Sequence, residues 1–305
     1  MSATFIAIGE PTHLVSATPR TYHVLNLGVG VQSTTLALLA EEGKLLYNGE
    51  PVRLDAAVVA DTKEEPRDPG HSVYEHLEKL RKKLSYPVIV RSAGKLGDDL
   101  QHGTGRTQRF ASIPAFTSDA ANKVSKVRRQ CTAEYKIQVI EKAIRRDVAG
   151  IKPGGRFPKG VRVVQYIGIS LDEAGRMTRA KKRLEEHPIY WSELRWPLIE
   201  QFGWTRADCR KYLETKLDYR VPRSACVFCP FHDNEEWAAI KARNGVDWAR
   251  AVEVDRMLRM SGSVCTRKMN QPLFLHRSCK PIDEVQFSTD PGDSMAAECL
   301  GMCGN

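Results

Sequence analysis

The sequence predicts an α/β protein with a doubly wound, mostly parallel sheet and a C-terminal cysteine-bearing helical appendage. Strand-like apolar runs alternate with helix-like stretches up to about residue 216, which is typical of βαβ units. Near residue 220 this alternation stops, and a cysteine-bearing loop, two predicted helices and an irregular tail follow. We therefore expect a core domain over 1–220, with ligands at the carboxyl ends of its strands, and a cysteine-rich region over 221–305.

The individual elements follow from apolar runs and helical periodicity. Strands are predicted at 22–27, 54–60, 87–92, 161–170 and 194–199. Helices are predicted at 33–43, 70–84, 132–148 and 205–216, with two more within 233–260. Thr205 can cap the helix that it precedes. Residues 94–130 are rich in Gly, Ser and Thr, so they are expected to form a mobile loop over the ligand site.

Length and cysteine usage limit the class of protein. The chain of 305 residues has no long apolar stretch of the kind that crosses a bilayer, which predicts no membrane span. Its first residues lack the basic and apolar regions of a signal peptide, so a cytoplasmic location is expected. Eight cysteines without an export signal favour metal binding or thiol chemistry over a disulfide framework.

Positive charge is concentrated in one part of the chain. The formal net charge is +9, and residues 123–183 alone hold 17 Lys and Arg against 5 Asp and Glu. Such asymmetry predicts a polyanionic partner, namely a nucleic acid such as tRNA or DNA, and a solvated basic surface is the alternative. No recognition helix or aromatic stacking pattern accompanies the basic residues, so base-specific reading is not expected.

A glycine-rich turn, "GVGVQST" at 28–34, joins the first predicted strand to the first predicted helix. Backbone amides and hydroxyls in this position are suited to a phosphate at a helix N-terminus. The turn lacks the Gly-Lys pair of the P-loop, and Ser33 stands where a dinucleotide-binding fingerprint needs its third glycine. A turn with a purely structural role is the remaining alternative.

Four segments resemble the N-type ATP pyrophosphatase (PP-loop) superfamily, near its PAPS reductase and DNA-phosphorothioation sulfurtransferase branch. The turn resembles the loop S-G-G-x-D-S-[TS]; it keeps Gly30, Ser33 and Thr34 and departs at Gly28, Val29 and Gln32. "VVADTKEEP" at 58–66, "IGISLDEAGR" at 167–176 and "WPLIEQFGWTRADCRKYL" at 196–213 resemble later signatures of the PAPS reductase branch. The resemblance implies a Rossmann-like, adenine nucleotide alpha-hydrolase-like fold.

The resemblance also implies roles for individual residues. ATP or PAPS, with Mg²⁺, would bind at Gly28, Gly30, Gln32, Ser33, Thr34, Asp61, Thr62 and Gly168. Asp172 and Arg176, with Glu173 between them, would face the nucleotide phosphates or a metal. The terminal "ECLGMC" resembles the reductases' "ECGLH", which makes Cys299 the expected nucleophile.

The cysteines predict a metal site. Cys226 and Cys229 form a C-x-x-C pair, whose turn directs two thiolates to one metal. Cys131, in "RRQCT", resembles a cluster-ligand segment of the same branch, and Cys303 is the expected fourth ligand. The resemblance favours a [4Fe–4S] cluster, with zinc as the alternative metal. A second possible ligand set is Cys226, Cys229, Cys299 and Cys303, with Cys279 in reserve.

Other candidate ligands are assigned to the scaffold. Cys209 lies in a predicted amphipathic helix and is expected to be a core residue. His232 and His276 are expected to be hydrogen-bonded scaffold residues.

Three functions remain open. The first is an ATP-dependent iron–sulfur sulfurtransferase acting on nucleic acid. In that reaction ATP adenylates an acceptor oxygen, pyrophosphate is held by 28–34, and sulfur from a donor displaces AMP. The second is a PAPS or adenylylsulfate reductase that forms sulfite with a thioredoxin-like partner. The third is a non-catalytic nucleotide- or nucleic-acid-binding module with structural zinc.

Overall fold

The structure is a computed structural model that describes residues 20–103, 113–260 and 271–287. The strands of this part of the chain are β1 (Arg20–Asn26), β2 (Leu46–Tyr47), β3 (Glu50–Pro51), β4 (Ala56–Ala60), β5 (Val88–Arg91), β6 (Phe116–Ser118), β7 (Val124–Lys126), β8 (Val161–Ile167) and β9 (Ser192–Arg195). Its α-helices are α1 (Val31–Glu41), α2 (Val73–Arg81), α3 (Leu96–His102), α4 (Gln138–Ala143), α5 (Ala174–Glu186), α6 (Pro197–Glu200), α7 (Arg206–Glu214), α8 (Asn234–Arg243) and α9 (Val246–Met257).

Five strands form a parallel sheet in the order β5-β4-β1-β8-β9. Successive residues of β1 alternate between its two faces: Leu25 packs with Leu36 of α1 on one face, and Val24 packs with Ile144 on the other. Helices therefore cover both faces, and the predicted α/β fold with a parallel sheet is confirmed. Strand order reverses between β1 and β8, which is where open α/β sheets bind ligands.

A second hydrophobic core joins both parts of the predicted domain division. Leu96 and Leu100 of α3 pack in one cluster with Trp237 and Ala251, from α8 and α9. The prediction of a loop throughout 94–130 is therefore wrong, because this segment contains α3 and the antiparallel pair β6–β7. The apolar signal of α3 is only two leucines four residues apart, and its partners lie far along the sequence.

Buried ion pairs connect the segment after β4 to the same helices. The Glu64 carboxylate, which is 3% exposed, accepts hydrogen bonds from Arg250 Nη2 at 2.6 Å and Arg250 Nε at 3.1 Å. Asp68 pairs with Arg243 at 3.2 Å and accepts a hydrogen bond from the backbone N–H of Asp247. The segment that carries the predicted nucleotide residues is thus held by α8 and α9.

The predicted strand at 194–199 ends earlier than expected. β9 stops at Arg195, and α6 begins at Pro197. Proline has no N–H for a sheet ladder but suits the first turn of a helix, which explains the difference.

The predicted helix at 132–148 is continuous but not uniform. α4 is flanked by π-helical turns at Ala133–Ile137 and Ile144–Val148. π-Helical turns are frequent at functional sites because they shift which side chains face a cleft. Among the described helices, none has the length and apolar character needed to cross a membrane.

Candidate nucleotide site at the switch point

The glycine-rich turn leads directly into α1. Gly30 is the extended residue before the helix, and the Ser33 hydroxyl accepts a hydrogen bond from its N–H and donates one to its carbonyl, both at 3.2 Å. The first turn of α1 contains no acidic side chain. Its N-terminal amides therefore present an uncompensated positive end of the helix dipole, which favours an anion.

Gly168 brings the end of β8 against this turn. A Cβ atom at Gly168 would lie 2.8 Å from the backbone N of Ser33 and 3.0 Å from the carbonyl carbon of Gln32. Only glycine permits this approach without a shift of the backbone. The structure thus brings Gly28, Gly30, Ser33 and Gly168 together, and their role in binding a nucleotide stays a prediction.

Two predicted binding hydroxyls are engaged inside the protein. Thr34 is fully buried, and its Oγ1 lies 2.9 Å from Nε2 of His76. Burial lowers the pKa of His76 to about 4, so the ring is neutral near pH 7. Thr62 is 1% exposed, and its Oγ1 lies 3.2 Å from the sulfur of Cys226. Neither hydroxyl extends into a cleft, because each is satisfied by a core partner.

Gln32 is paired with the acidic end of β8. Its amide donates to Glu173 Oε2 at 2.9 Å and to the Ser170 hydroxyl at 3.3 Å. Arg176 Nη1 donates to both oxygens of Glu173 at 3.0 Å. The resembling family usually has aspartate at position 32, but a carboxylate there would repel Glu173, whereas the amide of glutamine is a donor.

Three arginines lie near this turn, and we call them the arginine cluster: Arg176, Arg206 and Arg223. Asp172 accepts a hydrogen bond at 3.1 Å from the backbone N–H of Arg206, where α7 begins. Burial lowers the pKa of Arg206, and the neighbouring charges of Arg223 and Arg210 lower it further, against a raising effect of nearby carboxylates. Arg223 forms a close ion pair with Glu236.

Hydrogen bonding in this cluster is incomplete. In the described part of the chain, the Nε atoms of Arg176 and Arg206 are buried and have no acceptor. Ser224, which follows Arg223, lies 3.6 Å from the position of a Cβ on Gly30. The cluster is therefore beside the α1 N-terminus, and its surplus donors suit an anion. Sequence reasoning missed Arg206 and Arg223, although Arg206 lies within the resembling segment 196–213.

A cleft of about 280 Å³ opens on the β4 side of β1. Apolar side chains form much of its wall: Leu27, Val29, Val59, Val73, Leu77, Val90 and Ile140. Asp61 lines the cleft, and its Oδ1 accepts hydrogen bonds from the Lys63 N–H at 2.7 Å and the Tyr74 hydroxyl at 3.0 Å. We call this space the first cleft.

Glu65 and Lys136 form an ion pair at the first cleft that sequence reasoning missed. Lys136 Nζ lies 3.5 Å from Glu65 Oε1, and the Ser224 hydroxyl donates to Glu65 Oε2 at 3.0 Å. Burial lowers the pKa of Lys136, but the Glu65 carboxylate, followed by Cys226 and Cys229, raises it more strongly. Lys136 is therefore charged at physiological pH and adds a cation near the turn.

Cys226 and Cys229 are close to this ion pair. The N–H of Cys229 donates to the carbonyl of Cys226 at 2.9 Å, so the C-x-x-C segment forms a tight turn. Burial, then the Glu65 carboxylate, raises the pKa of Cys226 well above its ordinary value. Cys131 and Cys226 pack at the edge of the second core.

The metal centre stays a prediction. Within 20–103, 113–260 and 271–287, no group of three or more His, Cys, Asp and Glu side chains is arranged to hold a metal ion. Cys299 and Cys303, a predicted nucleophile and a predicted ligand, lie outside the described residues. The described residues do not form the predicted cluster site, so the reaction proposed for this chain does not involve a cluster.

The scaffold assignments are confirmed. Cys209 is fully buried in the main core. His232 Nε2 lies 3.0 Å from the Cys226 carbonyl, and burial lowers the pKa of His232 to about 3. His276 lies between the Ser278 hydroxyl, at 2.8 Å, and the Asn234 side chain, at 3.0 Å.

Two residues that differ from the family signatures have a left-handed backbone conformation. Val29 has φ +58° and Lys63 has φ +62°, and the resembling family commonly has glycine at both positions. Left-handed backbone strains a side chain with a Cβ, and most of all a β-branched one such as Val29.

Replacing Lys63 with glycine is expected to raise the free energy of unfolding by up to about 1 kcal/mol. Relief of left-handed strain is worth about 1–2 kcal/mol, and the greater freedom of glycine in the unfolded chain offsets part of it. Urea unfolding of Lys63→Gly measures the change, and Lys63→Ala is the control, because it removes the charge but keeps the Cβ. Equal stability of the two variants would contradict the strain.

Comparison with known proteins gives no match. Models of protein families, curated proteins and solved structures were all compared with this chain, and none is significantly similar to it. The family resemblance therefore stays a prediction carried by the sequence motifs.

Proposed function

We propose that this chain is a PP-loop nucleotide-binding enzyme, near the PAPS reductase and DNA-phosphorothioation branch, that adenylates a nucleic acid acceptor for sulfur transfer. The observation that carries the proposal is the arginine cluster beside the α1 N-terminus, where buried guanidinium donors lack acceptors in the described part of the chain. A triphosphate bound there would satisfy both the amides and the guanidinium groups.

The first cleft supports an adenosine moiety beside those phosphates. Its apolar wall suits the faces of a purine ring, and Asp61 and Glu65 are acceptors for polar hydrogens of the nucleoside. Gly28 and Val29 line the cleft and belong to the turn itself, so the nucleoside and phosphate sites are continuous.

The reaction needs charge neutralisation and alignment. An acceptor oxygen attacks the α-phosphorus, the bond from that phosphorus to the bridging oxygen breaks, and pyrophosphate leaves with the bonding electrons. The amides of α1, with Arg206, neutralise the charge that collects on the pyrophosphate. Asp172 is an exposed carboxylate beside the turn that can hold a nucleotide-bound Mg²⁺, which would neutralise further phosphate charge; the oxygens of Glu173 already accept from Gln32 and Arg176.

The acceptor class follows from the basic segment 123–183. No residue of α5 is buried, although this helix directly follows the switch-point strand β8. α5 carries five of the basic residues: Arg176, Arg179, Lys181, Lys182 and Arg183. Three of them are exposed, Lys181, Lys182 and Arg183. Exposed basic side chains beside the site favour phosphodiester contacts that do not depend on base sequence.

Calorimetry with ATP tests the nucleotide site. Arg206→Ala is expected to weaken ATP binding about tenfold, because a charge-assisted hydrogen bond is lost. Arg210→Ala is the matched control on the same helix and should change the Kd less than threefold, about the limit of a surface charge effect. The absence of any heat with the wild-type chain would contradict the proposal.

Product analysis separates the three functions. The proposed enzyme releases pyrophosphate from ATP only when nucleic acid is present. Sulfite formed from PAPS without ATP consumption would instead identify the reductase. Neither product, together with zinc in the purified protein, would identify the binding module.

A further inference from the structure

A second cleft lies on the opposite side of the helical segment 133–148 from the first cleft. Its volume is about 410 Å³, and it opens between Arg91, at the end of β5, and the outer face of the helical segment. Lys136 and Ile140 of this segment line the first cleft, whereas Val139 and Lys142 line the second. One helical segment therefore separates two clefts at the same edge of the sheet.

Polar residues of the second cleft recur at helical spacing. Gln138, Lys142 and Arg146 are four residues apart, so they lie on one side of the helical segment. Val139 and Ala143 are buried and form an apolar floor beside them. This combination of an apolar floor and polar walls is typical of a ligand site.

Only some of the charged residues of the second cleft form ion pairs in the described part of the chain. Arg91 Nη2 lies 2.9 Å from Asp147 Oδ1, so this arginine is fixed by an acid that also lines the cleft. Lys142 and Arg146 form no ion pair among the residues that the structure describes. Glu134, the other acid of the cleft, lies at the far end of the helical segment from Arg146. The Lys142 end of the cleft therefore has surplus positive charge, which suits a phosphate group.

We propose that the second cleft binds one nucleotide unit of the nucleic acid acceptor. Lys142 and Arg146 bind its phosphate, and its sugar and base lie over Val139 and Ala143. The Gln138 amide is a donor and acceptor for its polar edge. The assignment to a phosphate rests on this cleft alone, and the assignment to an acceptor strand rests on the function proposed above.

Fluorescence anisotropy with a short, labelled, single-stranded RNA tests the second cleft in the 305-residue chain. The double variant Lys142→Ala/Arg146→Ala is expected to bind the RNA about tenfold more weakly at about 0.1 M salt. The slope of log K against log salt should fall by about 0.7, since the two side chains bind one phosphate and each phosphate contact contributes about 0.7 on single strands. The charge-preserving pair Lys142→Arg/Arg146→Lys should retain the binding.

The control variant is Lys82→Ala/Lys83→Ala, which removes two exposed charges beyond the C-terminal end of α2. An equal loss of RNA binding in both double variants would mean a general charge effect and would overturn the site. Uridine 5′-monophosphate distinguishes a free ligand from a strand: if only this nucleotide, and not the RNA, loses affinity, the assignment to an acceptor strand is overturned. Thermal unfolding of each variant verifies that it is folded.

ATP calorimetry separates this inference from the proposed function. The Lys142→Ala/Arg146→Ala variant should bind ATP as the wild type does, because neither residue lines the first cleft. A wild-type chain that fails to bind ATP but shows the RNA effect would overturn the proposed function and keep the second cleft. If the wild-type chain binds ATP and the RNA effect is absent, the second cleft is overturned and the proposed function is kept.

Discussion

Replacing Gly168 with alanine is expected to lower the free energy of unfolding by about 1–3 kcal/mol, because the new methyl group overpacks a backbone contact. The Cβ would lie 2.8 Å from the N and 2.9 Å from the Cα of Ser33. Both are backbone atoms in the first turn of α1, so they cannot move aside as a flexible side chain can. The clash is relieved only if β8 and α1 separate.

In the reaction proposed above, the same change is expected to slow pyrophosphate release about 100-fold, since a displacement of about 1 Å in a positioning element has effects of this size. Gly175→Ala is the control. Gly175 lies in α5, where a Cβ meets only Arg179 Nη1, at 3.7 Å, and alanine in a helix is more stable than glycine by about 0.5–1 kcal/mol. The two alanine variants should thus change stability in opposite directions. A Gly168→Ala protein as stable and active as the wild type would contradict the close approach.

Replacing Arg250 with alanine is expected to cost about 3–5 kcal/mol of unfolding free energy. The variant leaves the Glu64 carboxylate buried with the Gly97 N–H, at 3.1 Å, as its remaining partner in the described residues. Glu64→Gln should cost less, about 1–2 kcal/mol, because Arg250 keeps Glu253 at 2.9 Å and Asp98 at 3.3 Å. Urea unfolding at neutral pH measures both changes. An Arg250→Ala protein as stable as the wild type would contradict a buried, uncompensated carboxylate at Glu64.

The fold could be predicted because its signals are local. A short apolar run lies in each of β1, β4, β5 and β8, and the helices α2 and α7 have clear helical periodicity. α3 could not be predicted, because Leu96 and Leu100 pack with residues of α8 and α9, which lie far along the sequence. Local pattern is a poor guide where an element depends on partners distant in sequence.

Some residues of the candidate site could likewise be predicted from the sequence, and others could not. Gly28, Gly30, Ser33 and Gly168 follow from turns at strand ends, and backbone geometry places them together. The directions of the Thr34 and Thr62 hydroxyls could not be predicted, because each depends on a buried partner from another element. The Lys136–Glu65 pair likewise joins residues that the sequence separates widely.

The second hydrophobic core has a consequence for synthesis on the ribosome. α3 emerges from the ribosome well before α8 and α9, yet its leucines belong to a core that those helices help to form. The carboxylates of Glu64 and Asp68 likewise form ion pairs with residues that are synthesised later, Arg250 and Arg243 respectively. A nascent chain that ends near residue 220 therefore exposes apolar leucines and uncompensated acids, a state that chaperones recognise and that aggregates readily.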